Sequence, residues 1–204
     1  ELGIPVLVER SSYESHPLGR LEWIRLYGVL FNKEEEADSF YEAELEKLEP
    51  IMKKESCNVT VAFFSVTANG TISVRKSNDY VAQMIALSGG NYVPEQLAGE
   101  EENALSTMNI QMEDFYADAK NADILIYNST IEGEISTLDE LKQKNALFAD
   151  FKAVQDGNVY CTTNNFFQKS TAIGDFMEDI IRITNLDKRF GSVHAVNDLS
   201  FRVK

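Results

Sequence analysis

The chain has 204 residues, and 19 Lys+Arg against 33 Asp+Glu give a formal net charge of −14. Hydrophobic residues make up 44% and charged residues 25%, which is typical of a folded domain with a real core rather than of a disordered chain. The acidic balance argues against a nucleic-acid partner, because no basic surplus is present to neutralise phosphates. Two cysteines and two histidines are too few for a disulfide framework or a three-histidine metal site.

The first predicted elements are a strand and two helices. An apolar run over residues 4–8 predicts a buried strand, and such a strand is usually preceded by elements that cover it. We therefore expect a chain that begins in the middle of a fold. A turn at Ser15-His-Pro-Leu-Gly19 predicts the start of a helix, and residues 33–54 form a second one. In this second helix the apolar residues keep a spacing of three and four among many carboxylates, so one face is buried.

Strands and helices alternate along the rest of the chain. Strands are predicted at residues 58–66, 71–75, 123–127 and 158–162, and helices at 79–88, at 111–120, from Thr137 and from Ile173. This alternation favours an α/β fold with layers of helices on a mostly parallel sheet. From residue 181 apolar and polar residues alternate, which predicts two or three short strands in place of the helix that began at Ile173.

The motifs of common enzyme and cofactor sites are missing from the sequence. It contains no glycine-rich phosphate loop and no nucleophile elbow, and neither cysteine has metal-ligating neighbours. We therefore expect a protein that is not an enzyme and that holds no cofactor or resident metal.

An ordered set of segments resembles a known family. The segments are Ile4-Pro-Val-Leu-Val8, residues 15–24, the acidic helix start at 33–37, Val61-Ala-Phe-Phe-Ser65, Ser88-Gly-Gly-Asn91 and Ala122-Asp-Ile-Leu-Ile-Tyr127. Together they resemble the extracellular substrate-binding proteins of bacterial ABC importers for iron–siderophores, haem and cobalamin. The resemblance covers roughly residues 1–180. It implies two α/β lobes joined by one long helix, with the ligand in the cleft between the lobes.

The resemblance also implies a division of the chain. Residues 1–32 look like a remnant of the N-terminal lobe, 33–56 like the linking helix and 57–180 like a C-terminal Rossmann-like lobe. We therefore expect a truncated, ligand-impaired chain in which half of the cleft is missing, with a possible homo-oligomer covering the exposed apolar surface. The family implies a lipoprotein on the extracellular face of the membrane, or a periplasmic protein, for a full-length parent; the signal itself is not seen in this chain.

The tail, residues 181–204, carries a second resemblance. It is similar to the first strands of ABC transporter ATPases, in which the aromatic residue corresponding to Phe190 stacks on adenine. The phosphate-binding loop that should follow is not in the sequence, so nucleotide binding is not expected. A coincidental β-hairpin is the alternative interpretation.

Candidate ligand-binding residues follow from the rule that ligands bind at the carboxyl ends of strands in open α/β sheets. The rule and the resemblance both select Phe64, Ser65, Asn164, Asn165 and Phe166, and the resemblance adds Asn109. Side-chain chemistry adds Arg75 and Tyr80. A planar guanidinium suits a carboxylate or catecholate oxygen of a chelate, and a tyrosine suits a large planar ligand. Ordinary core packing is the alternative for the phenylalanines, including Phe167, and a solvated surface charge is the alternative for Arg75.

The expected partners are a ferric siderophore or a similar chelate, with haem or cobalamin possible, and an ABC permease. Glu113 matches the carboxylate with which this family docks on the permease, and its place near a helix N-terminus is electrostatically favourable. A plain first-turn glutamate is the alternative. A fragment of an ATPase-containing fusion and an acidic interaction domain are the other functions that stay open.

Overall fold

The computed structural model describes residues 3–52, 57–95, 107–169, 171, 173–184 and 199–202. The helices are α1 (Pro17–Phe31), α2 (Glu34–Met52), α3 (Tyr80–Leu87), α4 (Met112–Ala119), α5 (Leu138–Lys144), α6 (Lys152–Gln155) and α7 (Ile173–Thr184). The strands are β1 (Thr60–Val66), β2 (Ile72–Arg75), β3 (Asn91–Val93), β4 (Thr107–Ile110), β5 (Ile124–Tyr127), β6 (Val159–Thr162) and β7 (Leu199–Arg202).

Strand β1 lies at the centre of one sheet with the order β4-β2-β1-β5-β6-β7. One edge of β1 pairs with β5 in parallel, and the other edge is shared. The amino-terminal half of that edge pairs in parallel with β3, and the carboxyl-terminal half pairs antiparallel with β2. The β5–β6 pairing is parallel, whereas β2–β4 and β6–β7 are antiparallel. The α/β fold is as predicted, but the sheet of the described residues is mixed rather than mostly parallel.

Helices cover both faces of the sheet and create two cores. The first core lies between the sheet and helices α1, α2, α3 and α7, and it includes Val61 and Phe63 of β1. The second core lies between the sheet and helices α4, α5 and α6, and it includes Ala62 and Phe64. Because successive side chains of a strand point to opposite faces, β1 contributes to both cores alternately.

Local sequence explains where the main helices begin. Pro17 occupies the first turn of α1, where its missing N–H costs nothing, and the His16 side chain accepts a hydrogen bond from the Leu18 N–H at 3.2 Å. Asp79 caps α3 by accepting from the Val81 N–H at 2.9 Å. The predicted long helix is confirmed as α2, whose 19 residues span about 28 Å. Residues 53 and 54 of that prediction lie outside the described part of the chain.

Two predictions at the ends of the chain are wrong. Residues 4–8 form no strand, and Ile4 and Val6 are 68% and 82% exposed. A strand needs a partner for its N–H and C=O groups, and no described strand pairs with this segment. Ile181–Thr184 continue helix α7, because Ile183 and Thr184 follow Ile180 at helical spacing and join the same buried face.

The tail is described in part. Strand β7 pairs antiparallel with β6 through Leu199↔Thr162 and Ser200↔Cys161, so one of the predicted short strands is present. Residues 185–198, which include Phe190, lie outside the described ranges. The resemblance of this tail to an ATPase, and the predicted domain boundaries, therefore stay predictions. No helix of the described ranges combines the length and apolar character needed to cross a membrane.

The close approach of α1 and α2 gives a test of the packing. A Cβ added to Gly28 would lie 2.6 Å from the Ala37 Cβ and 3.1 Å from the Lys33 carbonyl oxygen. We expect Gly28→Ala to lower the free energy of unfolding in urea by about 1–3 kcal/mol, because the two helices must move apart. Ala37→Gly alone should cost about 1 kcal/mol. The double variant should lose less than the sum of the single losses, and strict additivity would contradict the contact.

Candidate ligand-binding site

The sheet register places several of the predicted residues on one face. Ser65 of β1 lies opposite Ser73 of β2, and Ser73 lies opposite Asn109 of β4. Paired residues of neighbouring strands point to the same side of a sheet, so these three form a polar row. Arg75 is two residues beyond Ser73 and shares this face, which is the face of the first core. Ser65 is buried and Asn109 is exposed, so the row runs from the core to the surface.

Arg75 is held in place by several groups. Its guanidinium lies 3.6 Å from the Asp79 carboxylate, and its backbone N–H and C=O both bond the Tyr92 hydroxyl, at 3.0 and 2.7 Å. The guanidinium also lies 4.4 Å from the centre of the Phe167 ring. Arg75 is 8% exposed, so the alternative of a solvated surface charge is wrong. Its charge is already matched by a buried carboxylate.

Tyr80 is the centre of an aromatic and cationic stack. The Arg20 guanidinium of α1 lies over the Tyr80 ring, 3.4 Å from its centre. The Phe167 ring meets Tyr80 edge to face, with ring centres 6.4 Å apart. Together with Arg75 on Phe167, these contacts give the order Arg20, Tyr80, Phe167, Arg75, which we call the arginine–aromatic stack. Such cation–π contacts gain strength where water is excluded.

The loop after β6 supplies the exposed part of the site. Asn164 and Asn165 are exposed, whereas Phe166 is buried against Phe63 and Phe176. Phe166 therefore packs in the first core and anchors the loop, and Phe167 is left half-buried at its surface. The loop brings the asparagines and the stack together because Phe166 and Phe167 are neighbours in one short helical turn.

Phe64 is on the other side of the sheet. Its ring is fully buried and packs against Phe115, Tyr127 and Phe148 at centre distances of 5.0, 5.7 and 5.4 Å. This arrangement matches the core-packing alternative, because the alternation of β1 points Phe64 and Ser65 to opposite faces. Of the eight candidate residues, Phe64 is the one that this geometry separates from the others.

Burial shapes the electrostatics of the stack. Burial raises the pKa of Tyr80 to about 12, so its hydroxyl is neutral at physiological pH. Burial lowers the pKa of Arg20 from its ordinary value, and the nearby charge of Arg75 acts in the same direction. Arg20 stays protonated at neutral pH, because the pKa of a guanidinium lies far above 7. The site therefore offers planar cations and rings rather than a nucleophile or base.

Sequence reasoning missed Arg20 and Asp79. Arg20 is part of the segment that carries the family resemblance, but its contact with Tyr80 joins residues sixty positions apart, which no local pattern reveals. Asp79 could have been found as a helix cap preceding α3. Within the described ranges no three His, Cys, Asp or Glu side chains are grouped so as to hold a metal ion.

Glu113 belongs to a helix that packs on the opposite sheet face from the stack. It is exposed in the first turn of α4, beside Asp114, and the apolar residues of that helix enter the second core. The stack and the helix that carries the candidate docking residue thus lie on opposite faces of the sheet.

The described residues thus form a two-core α/β lobe with one long helix, α2, and a polar, aromatic loop after β6. A family model described as periplasmic binding protein matches residues 1–165. The chain therefore belongs to the periplasmic binding protein family. The family binds solutes without enzymatic activity, which agrees with the prediction that the chain is not an enzyme.

Curated relatives come from Methanocaldococcus jannaschii. Two uncharacterized lipoproteins of that organism are 30% identical to this chain over 170 and 175 residues, each covering 82% of it. The chain spans 39% and 42% of their lengths. An uncharacterized protein of the same organism is 28% identical over 186 residues, which is 88% of this chain and 54% of that protein.

Solved structures show the same fold at low identity. An ABC-type Fe³⁺-hydroxamate transport system protein of Saccharomonospora viridis matches with a TM-score of 0.67 at 15% identity, covering 83% of this chain and 56% of that one. The periplasmic haem-binding protein HutB of Vibrio cholerae matches with a TM-score of 0.66 at 15% identity, over 87% and 66%. PiaA of Streptococcus pneumoniae in complex with ferrichrome gives 0.55 at 18% identity, over 84% and 58%.

The pKa of Tyr80 predicts a loss of stability in alkali. An unfolded tyrosine ionises near pH 10, whereas burial raises the pKa of folded Tyr80 to about 12. The folded state thus binds this proton more tightly, so the contribution is full below about pH 10 and is lost as the pH rises toward 12. We expect Tyr80→Phe to make the fall of unfolding free energy between pH 10 and 12 less steep in urea titrations. An equal slope in both proteins would contradict the burial of this hydroxyl.

Proposed function

We propose that the protein is the extracellular solute-binding component of an ABC importer for an iron–siderophore or a related iron chelate. Membership of the periplasmic binding protein family supports a solute-binding role. Structural neighbours described as iron-hydroxamate, haem and ferrichrome-binding proteins support the ligand class. Lipoprotein relatives support a place on the extracellular face of the membrane or in the periplasm. The importer role is proposed for the whole protein, of which these residues span part of the relatives' length.

The observation that carries this proposal is the arginine–aromatic stack at the end of the sheet. Tyr80 and Arg75 are buried and fixed, so they support the surface rather than form most of it. The half-buried Arg20 and Phe167 and the exposed Asn164 and Asn165 face outward. Ring faces, a guanidinium and amide groups can contact the planar and oxygen-rich parts of an organic iron chelate.

A ligand panel tests this proposal. Purified protein is titrated with ferrichrome, ferric citrate, haem and cobalamin, and binding is measured by calorimetry and by the fluorescence of Trp23, the one tryptophan of the chain. Trp23 lies close to the stack, because its ring N–H donates to the Glu14 carboxylate at 3.1 Å and the Glu14 carbonyl accepts from Arg20. We expect saturable binding of at least one iron chelate, with a weak affinity in keeping with the predicted ligand-impaired cleft.

The control uses the exposed loop. Phe167→Ala should weaken binding by about 10-fold or more, because it removes the outer ring of the stack. Phe31→Ala, which removes an exposed ring at the end of α1, should leave binding unchanged. Saturable binding of cobalamin or haem alone would move the ligand class away from siderophores, and no binding of any compound would contradict the ligand-binding role of this chain.

Glu113 is proposed as a permease-docking residue. Its exposed carboxylate in the first turn of α4 is favoured there by the helix dipole and is free to face basic residues of a membrane partner. In transport assays with the full-length protein and its permease, we expect Glu113→Gln to lower uptake while leaving chelate affinity unchanged. Asp118→Asn, an exposed carboxylate at the other end of α4, is the matched control. If both variants lower uptake equally, or if neither variant lowers it, a specific docking role of Glu113 is contradicted.

The homo-oligomer stays a prediction. An apolar groove of about 490 Å³ lies between α1 and α2, and its lining includes Ile24, Phe31 and Phe40. The neighbouring Val29 and Leu30 are exposed. This is the described surface that a second copy would cover.

A further inference from the structure

We infer that the ligand presents an anionic oxygen group to Arg20, and that Arg20 selects anionic chelates over neutral ones. This inference rests on the proposed function and names the charge class of the ligand at the same site. It follows from the way in which Arg20 is held.

Arg20 is fixed by neutral groups alone. Its Nε–H donates to the Glu14 carbonyl oxygen at 3.0 Å, and its Nη2 donates to the Ser12 carbonyl oxygen at 2.8 Å. The flat face of the guanidinium rests on the Tyr80 ring at 3.4 Å. A guanidinium has five N–H donors, so these bonds leave the two donors of Nη1 and one of Nη2 without a partner among the described residues.

Among the described residues no carboxylate forms an ion pair with the Arg20 guanidinium, in contrast to three other arginines, and Asp79 and Glu14 act on its charge only from farther away. Arg25 lies 2.8 Å from Asp38, Arg75 lies 3.6 Å from Asp79, and Arg182 lies 3.0 Å from Glu178.

Glu14 is close to Arg20, yet its carboxylate accepts from the Trp23 ring N–H at 3.1 Å, and only its backbone carbonyl bonds Arg20.

A half-buried cation without a direct ion-pair partner is left incompletely compensated, and an anionic group that pairs with it gains in stability. The stack on Tyr80 and the two carbonyl bonds keep the guanidinium in one orientation, so little freedom remains to be lost when a ligand binds. An anionic oxygen pair would accept from the remaining N–H groups in the fork geometry that suits carboxylates, catecholates and phosphates. A neutral ligand could accept the same hydrogen bonds but would leave the charge unmatched.

The experiment compares an anionic and a neutral probe on matched variants. Ferric citrate serves as the anionic chelate and ferrichrome as the neutral one, and both dissociation constants are measured by calorimetry. Arg20→Gln removes the charge and keeps much of the length. Arg25→Gln is the control, because Arg25 is on the same helix and also lies over a tyrosine, with its guanidinium 4.2 Å from the Tyr41 ring centre, but has Asp38 as its partner.

The expected result is a charge-selective loss. Arg20→Gln should weaken ferric citrate binding by about 10- to 100-fold and ferrichrome binding by less than about 3-fold, whereas Arg25→Gln should change neither. Arg20→Lys, which keeps the charge but not the fork, should retain part of the citrate affinity. Citrate binding to the native protein should also weaken as the salt concentration rises.

Other outcomes separate this inference from the proposed function. Equal losses for both probes in Arg20→Gln, a loss for neither, or native binding of ferrichrome without ferric citrate would overturn the anionic preference while leaving the chelate-binding role intact. Failure of the native protein to bind either probe, or any compound of the panel, would overturn the proposed function and this inference with it. Circular dichroism and unfolding midpoints of each variant show whether a loss of binding reflects a loss of folding.

Discussion

The structure depends on the burial of strand β1 between two layers of helices. Six of its seven residues are buried, and the strand is hydrogen-bonded along both edges, by β5 on one side and by β2 and β3 on the other. Because its side chains alternate between two cores, a shift of one residue would exchange the two faces. The burial of Phe63 and Phe64 on opposite sides therefore fixes the register, and that register puts Ser65 and Arg75 on the face that carries the candidate site.

The burial of β1 between two helix layers also explains why the two faces of the sheet differ in their contacts. On the first face, α3 and the loop after β6 pack on the sheet through Tyr80 and Phe166, and α1 is joined to them by the contact of Arg20 with Tyr80. On the second face, aromatic rings fill the core between the sheet and helices α4 and α5, and Glu113 is exposed in the first turn of α4.

Much of the fold could be predicted from local signals. Apolar spacing identified α2, the glycines at 89–90 marked the end of α3, and the apolar run at 123–127 identified β5. The run at 4–8 has an equally strong apolar signal, but a strand exists only where another strand accepts its hydrogen bonds, and sequence does not reveal that partner. Strands β3 and β4 were not predicted because polar residues interrupt their apolar signal over only three or four positions, whereas β5 is a continuous apolar run.

Those residues of the candidate site that lie at strand ends could be predicted from the sequence. Those that reach the site through helix packing could not. Arg75 and Tyr80 were selected for their side-chain chemistry, and the structure places them at the end of β2 and the start of α3. No sequence rule selected Arg20, because its contact with Tyr80 results from the packing of α1 against α3. Phe64 was assigned to the site because it lies near the end of a predicted strand. The sequence alone does not show toward which face of the sheet its side chain points. The distinction between a ligand-facing and a core-facing neighbour is set by tertiary packing.

Hydrogen–deuterium exchange of the protein with and without ferric citrate tests the central claim most directly, because it shows where a chelate binds. The account predicts slower exchange in residues 163–169 and in the first turns of α1 and α3, with α4 and α5 unchanged. Slower exchange confined to α4 and α5, or no change in residues 163–169 at a saturating chelate concentration, would contradict it.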